Sequence, residues 1–283
     1  MKVRLTLEYI GESFSGWQTQ AGPSEIRTVQ AELERAITVF LGSEAKKLGM
    51  VLENAGAFHL QASGRTDSGV HARGQVVSFS WPTDIPFDEL RLRSALNGIT
   101  GPEIYVHHAE RVDDAFDARF TPHIKCYTYR MLLGRRRSCY DLGRAWSIGD
   151  ERLDLAAMIR AAKALRGKHD FSSFRAPDCT ASTTERTLLA SELVRLSHEE
   201  LVYFVQGTGF LKQMIRIIVG TLVEIGRGKI ATEMSELLDA RNRSRVGPTA
   251  PPSGLTLEWV RYLDQPYYAG LPEAITESVI TID

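Results

Sequence analysis

A chain of 283 residues is long enough for two units, each with its own core. Its composition, 43% hydrophobic and 24% charged, is that of a globular protein, and no apolar run reaches the length of a membrane span. Three cysteines (Cys126, Cys139 and Cys179), odd in number and without CxxC spacing, exclude a disulfide framework and a cysteine-held zinc, so a reducing cytoplasm is the expected compartment. The net charge of −1 hides an asymmetry. Residues 1–118 hold 11 Lys+Arg against 16 Asp+Glu, and residues 119–283 hold 23 against 19. Two basic clusters, Arg135-Arg136-Arg137 and Arg241-Asn242-Arg243-Ser244-Arg245, fit either a phosphate-binding stripe or a solvated surface.

Met1 to Leu5 begins a strand rather than a signal peptide, with Val3, Leu5, Leu7 and Tyr9 alternating against Arg4, Thr6 and Glu8. A loop, Gly11 to Gln18, follows, in which Trp17 is expected in the core or at its edge. Thr28 caps a helix with Val29, Leu33, Ile37, Phe40 and Leu41 on one face and Gly42 as its stop. Residues 44–61 carry no clear period. Leu90, Leu92, Ala95 and Leu96 form a second helix, closed by Asn97-Gly98, and Ile104 to His108 a strand. Strict alternation there puts His107 and His108 on opposite faces, unable to share a metal.

Phe116 to Pro122 marks a boundary, giving an N-terminal unit of residues 1–118 and a C-terminal unit of 119–283. Tyr127, Tyr129, Met131 and Leu133 alternate as a strand ahead of the Arg135–Arg137 turn. Asp150 or Asp154 opens a helix through Leu165 that stops at Gly167, and His169 to Phe174 is a structural loop. Leu188–Leu196 and Leu201–Gln206 make a hairpin. The strongest helical period runs from Phe210 to Val223, with Lys212, Gln213 and Arg216 together on its polar face. Leu237 and Leu238 belong to a further helix, Pro248 to Pro252 is linker-like, and Leu255, Leu257 and Trp259 are a last strand. The fold class is α+β: two similar α/β halves, each a mainly antiparallel sheet with helices on one face.

The stretch with most chemistry is Gly64-Arg65-Thr66-Asp67-Ser68-Gly69-Val70-His71-Ala72-Arg73-Gly74, leading into a β segment at Gln75–Phe79. Three glycines bracket one carboxylate, and a loop that merely turns the chain rarely needs so many. With Arg65 two positions before it, Asp67 is expected to stay ionised beside a guanidinium, as a nucleophile or base held ready. In isolation a lone loop acid is more often a cap, and Ser68 and His71 leave a hydrolase open. The Gly-x-Ser-x-Gly elbow is absent, and no His/Asp cluster has metal-ligand spacing.

The motif Gly64-Arg65-Thr66-Asp67-x-Gly69-Val70-His71-Ala72-x-Gly74-Gln75-Val76 resembles the hallmark of the TruA-type tRNA pseudouridine synthases. Tyr127-x-Tyr129 after Phe116-Asp117-Ala118-Arg119-Phe120 resembles the family's second motif, and Gly209-Phe210-Leu211-x-x-Met214-Ile215-Arg216-x-Ile218-Val219-Gly220 its third. Gly16-Trp17-Gln18, Asp170-Phe171-Ser172-Ser173-Phe174, Arg186-Thr187 and Ala250-Pro251-Pro252-x-Gly254-Leu255 are supporting matches, so the resemblance spans about residues 3–262.

The resemblance implies an isomerase that converts uridine to pseudouridine in the tRNA anticodon stem-loop, at tRNA positions 38, 39 and 40, without metal or cofactor. It implies a homodimer with no membrane partner and an active-site cleft between the two halves. Asp67 takes the family aspartate's place, attacking ribose C1′ or base C6 or assisting cleavage through a glycal. Tyr127 matches the tyrosine that packs on the uracil and takes a proton, and Arg216 the basic partner of the aspartate. Arg65 matches the arginine that holds the target nucleotide out of the stack, and Phe210 is assigned to substrate binding.

The chain departs from the family at Ser68, where alanine is usual, and at Gln213 and Ile217, where histidine and asparagine are expected; the last two positions are expected to bear on RNA contacts. Residues 44–61 are longer than is typical and are expected near the RNA face or dimer contact. Two other classes stand beside the isomerase: an RNA-binding relative without activity, which the retention of Asp67, Tyr127 and Arg216 together disfavours, and a hydrolase using Ser68 or Asp67.

Overall fold

The computed structural model describes residues 1–19, 26–50, 58–134, 139–149 and 152–263. The Arg135–Arg137 cluster, Asp150 and residues 51–57 lie outside the described residues. In chain order the elements are β1 (Lys2–Tyr9), α1 (Val29–Lys47), β2 (Gln61–Ala62), β3 (His71–Ser80), α2 (Glu89–Thr100), β4 (Ile104–Val112) and β5 (His123–Leu133). There follow β6 (Trp146–Gly149), α3 (Leu155–Lys163), β7 (Gly167–Asp170), β8 (Glu185–Arg195), β9 (Glu200–Gly207), α4 (Met214–Gly226), α5 (Met234–Asp239) and β10 (Leu255–Tyr262).

The fold is α+β and its pairing mainly antiparallel, as the alternating strands imply. The half-sheets are fused, however, into one ten-stranded sheet of order β4-β1-β3-β10-β5-β9-β8-β7, with β2 beside β3 and β6 beside β5. The last strand makes the join. β10 lies parallel to β3 (Thr256 opposite His71, Leu257 opposite Ala72) and antiparallel to β5 (Leu257 opposite Tyr127). One apolar cluster takes residues from all five helices, among them Leu33, Leu92, Met158, Ile218 and Leu237, together with Leu5, Val77, Tyr129 and Tyr203 of the sheet. Fully burying each such side chain contributes roughly 1.5–3 kcal/mol. Val76, Phe116, Ala118 and Tyr262 form a small second cluster.

Glycines read as stops prove to be tolerated inside helices when apolar residues beyond them are buried. Thr28 caps α1 by accepting from Ala31 N (3.3 Å), but the helix passes Gly42 and reaches Lys47, since Ala45 packs in the core. α2 passes Asn97-Gly98 and ends at Gly101 (φ 71°). Asn97 instead ties the helix to β4, donating to Val106 O and accepting from Val106 N. Asp154, not Asp150, caps α3, and Gly167 opens β7 rather than closing the helix.

Four other expectations are corrected. β3 begins at His71, well before Gln75. A bulge in β4 opposite Thr6/Leu7 breaks the alternation, so His107 and His108 both lie outside the core, their rings 6.4 Å apart. α4 starts at Met214, because Gln213 takes a left-handed conformation (φ 59°); Lys212 and Gln213 thus precede the helix rather than sharing its polar face. Pro248 to Pro252 is packed strap, not linker: a Cβ on Gly220 would stand 1.8 Å from Pro248 O, and Ala250 is 1% exposed.

Candidate active site

The Asp67 loop connects β2 to β3 and is held from below by a buried polar network. Ser63 Oγ donates to Gln75 Oε1 (2.7 Å), Gln75 Nε2 donates to Gly64 O (2.9 Å), and Thr66 Oγ1 pairs with Tyr9 OH (2.8 Å). In such surroundings satisfied polar groups fix one geometry, because leaving any of them unpaired is costly. A second loop buttresses the first. Trp17 N donates to Thr66 O (3.1 Å), and Gly16 at φ 96° brings its Cα so close that a Cβ would lie 2.9 Å from Thr66 O and 3.1 Å from Ser68 N. Trp17 itself is 2% exposed and packs against Tyr9, a core residue as expected.

Across the junction, the first turn of α4 delivers Arg216, 149 residues further along. Arg216 Nη1 donates to Asp67 Oδ2 at 3.0 Å, and Arg216 Nε donates to Ala250 O at 2.8 Å. Ala250 N in turn donates to Arg216 O (3.1 Å), and Tyr129 OH to Pro251 O (2.7 Å), so the strap fixes the guanidinium that faces the carboxylate. The pair is partly buried, with side chains 23% (Asp67) and 12% (Arg216) exposed, which strengthens the attraction relative to a surface pair. The expectation that a neighbouring guanidinium faces Asp67 is met by Arg216 rather than by Arg65.

Tyr127 sits two residues before Tyr129 on the same face of β5 and is 6% exposed. Its ring meets Phe210 edge-on, centroids 5.2 Å apart at 80°. Burial chiefly, then the charges of Tyr9 and Asp67, push the Tyr127 hydroxyl far above the usual phenol range, so it stays a neutral phenol at any physiological pH. That hydroxyl makes no hydrogen bond among the described residues. Asp67, Arg216, Tyr127 and Phe210 are thus brought together. Arg65 is exposed on the same loop and forms no ion pair among the described residues, available to a partner outside the chain.

The hydrolase alternative finds no support in the geometry. Ser68 Oγ donates to Phe14 O (3.2 Å). His71 is engaged on both sides, Nδ1 accepting from Gly11 N (3.1 Å) and Nε2 donating to Gly143 O (2.8 Å), and burial lowers its pKa. Ile217 is fully buried, which removes it from any RNA contact, while Gln213 forms the left-handed turn before Arg216. In the basic cluster, Arg241 pairs with Asp170 (3.2 Å) and Arg243 donates to Gly247 O (2.9 Å), so part of it serves the fold. The supporting parts played by Gly16, Gln75, Ala250 and the Ser63–Gly64 carbonyls are not assigned by the sequence, although Gly64 and Gln75 lie in the Asp67 motif and Gly16 and Ala250 in the Gly16-Trp17-Gln18 and Ala250-Pro251-Pro252 matches.

The tRNA pseudouridine synthase family model matches residues 6–121 and 161–263. A tRNA pseudouridine synthase A of Myxococcus xanthus is 39% identical over 267 residues, covering 94% of this chain and 93% of that one. The same enzyme of Azorhizobium caulinodans is 38% identical over 276 residues (97% and 99%), and that of Geobacter sulfurreducens 40% over 262 residues (92% and 99%). An α+β chain with an arginine-faced carboxylate, Asp67, near the seam of two half-sheets is therefore placed among the RNA-modifying isomerases, and it belongs to the tRNA pseudouridine synthase family. Among the described residues no helix is long and apolar enough to cross a membrane, and no group of three or more His, Cys, Asp and Glu converges on one point.

Proposed function

We propose that this chain converts uridine to pseudouridine in the tRNA anticodon stem-loop, at tRNA positions 38, 39 and 40, with Asp67 as the catalytic carboxylate. The observation that carries the reading is the 3.0 Å pair between Arg216 and Asp67, beside Tyr127. The reaction breaks the bond from ribose C1′ to N1, turns the uracil, forms a bond from C1′ to C5, and passes the C5 proton to N1 by way of the site. A fixed carboxylate serves this by attacking C1′ or C6 or by assisting departure of the base through a glycal. Arg216, held by the strap through Ala250 O, keeps that carboxylate aimed.

Flipping the target nucleotide out of the stack costs a few kcal/mol. Arg65, exposed and without an ion-pair partner among the described residues, suits a guanidinium that fills the vacated stack or binds phosphate. Tyr127 and Phe210 supply an aromatic wall for the uracil, and the neutral Tyr127 phenol is a hydrogen-bond donor rather than a ready base. The same reading takes residues 1–118 as the unit carrying the Asp67 loop and 119–283 as the unit carrying Tyr127 and Arg216, with the cleft between them. It also takes the working enzyme as a cytoplasmic homodimer whose RNA crosses both subunits.

Asp67→Asn tests the reading. Pseudouridine mapping of bulk unmodified tRNA after incubation with the purified protein should show modification at 38–40 with wild type and none with the variant, tRNA affinity remaining within about twofold because the amide keeps the carboxylate's shape. Turnover by the variant would remove the central role given to Asp67.

A further inference from the structure

The inward face of β5 runs His123, Lys125, Tyr127, Tyr129, and the mechanism above uses only its later members. Lys125 is 9% exposed, and its Nζ donates one hydrogen bond, to Ser63 O at 2.9 Å. Gly64 is so close that a Cβ there would stand 3.0 Å from Nζ. Since Gln75 holds Gly64 O, the two successive carbonyls that precede Arg65 are each pinned by a buried donor from a neighbouring strand.

The ammonium is otherwise badly placed. It has no carboxylate partner among the described residues, and the charged groups acting on it are Arg186 of β8 and Arg119 of the loop before β5, both cations. His123, two residues back on β5, also feels its charge. Burial, with these two arginines, lowers the Lys125 pKa to about 8. An unpaired buried charge is costly, and a hydrocarbon of the same length would pack here more cheaply. What the hydrocarbon cannot do is donate to Ser63 O.

We propose that Lys125 is a positioning residue for the reaction: through Ser63 and Gly64 it fixes the stretch of loop that sets Arg65 and Asp67 against the uridine. The proposal rests on the role given to Asp67. Misplacing a reacting group by about 1 Å costs on the order of 100-fold in rate, so a slack loop should show in chemistry and not in binding.

The test compares Lys125→Met with wild type, using full-length protein and unmodified tRNA, in single-turnover rate, tRNA dissociation constant and thermal midpoint. The expected result is a rate lowered about 10- to 100-fold, affinity within about twofold, and a midpoint unchanged or raised. A rate within about twofold of wild type overturns the proposal, as does weakened affinity with the rate at saturation intact, which would make Lys125 a phosphate contact. A second variant guards against unfolding. Gly64→Ala, whose methyl crowds Nζ, should slow wild type but add nothing in a Lys125→Ala background; independent, additive losses overturn the proposal. Asp67→Asn run in parallel separates the two failures: its activity would sink the underlying reading, whereas a dead Asp67→Asn beside a fast Lys125→Met sinks only this one.

Discussion

At the scale of single residues, the site turns on which arginine faces the carboxylate. In the sequence Arg65 is two positions from Asp67 and Arg216 lies 149 residues away, yet the distant one makes the pair. Arg216→Met removes a guanidinium that serves two acceptors, Asp67 Oδ2 and Ala250 O. Leaving a partly buried carboxylate and a carbonyl unpaired is expected to cost about 1–3 kcal/mol of stability. Pseudouridine formation should fall at least about 100-fold, because Asp67 is then neither aimed nor compensated. Arg216→Lys keeps the charge but loses the two-pronged geometry, and should recover only part of the rate. Single-turnover kinetics on both variants, with urea unfolding alongside, checks this; a wild-type rate from Arg216→Met would reduce the pair to a structural contact. That Asp67, Tyr127 and Arg216 stand out in the sequence follows from each sitting in a dense local motif, and the structure brings them together. Lys125 stands outside every motif, and the contacts of Gln75 and Gly16 could not be read from theirs, because these depend on which strands and loops lie side by side, and that arrangement is set by long-range pairing.

Among the elements, helices and strands were legible where apolar residues recur with a clean period, as in β1, β5, the β8–β9 hairpin and the body of α4. Their ends were harder, since a glycine stops a helix only when nothing beyond it is worth burying. The start of α4 shows the converse: Phe210 and Leu211 continue the apolar period, but the left-handed turn at Gln213 keeps them out of the helix. The strap at 248–252 was the least legible element, because a proline-rich stretch reads the same whether it is solvated or packed. Two glycines now make opposite predictions. In Gly220→Ala the new methyl would lie 1.8 Å from Pro248 O, so the strap that holds Arg216 and Tyr129 must shift. A loss of about 1–3 kcal/mol is expected, together with a slower reaction. Gly42→Ala, mid-helix with nothing within 4 Å of the added atom, should instead stabilise by roughly 0.5–1 kcal/mol and leave the rate alone. Urea midpoints of the two variants, read against their rates, decide whether the strap is part of the catalytic apparatus.

For the whole molecule, the fusion of the halves through β10 was not visible in the sequence, because a final alternating strand gives no sign that it pairs in the middle of the sheet. Its consequence is that Asp67, ahead of β3, and Tyr127, on β5, belong to strands flanking the same β10, so the two motifs are spaced by one strand. The charge asymmetry runs across that seam: residues 1–118 carry a net −5 and residues 119–283 a net +4. On the proposed function, RNA is expected to be drawn to the C-terminal unit, where Arg245 is exposed, and repelled from the other. Each phosphate neutralised by a cation releases condensed counterions, so the logarithm of the tRNA association constant should fall linearly with the logarithm of salt concentration, by about 0.7–0.9 per phosphate contacted. Arg245→Gln should lower the affinity and flatten that slope by up to about one contact without changing the rate at saturating enzyme, since the residue is remote in role from the carboxylate. Filter binding across a salt series, for wild type and the variant, measures both quantities. An affinity indifferent to salt would mean that the basic half does not meet the phosphate backbone, and tRNA would then have to be held by contacts to its bases and its shape.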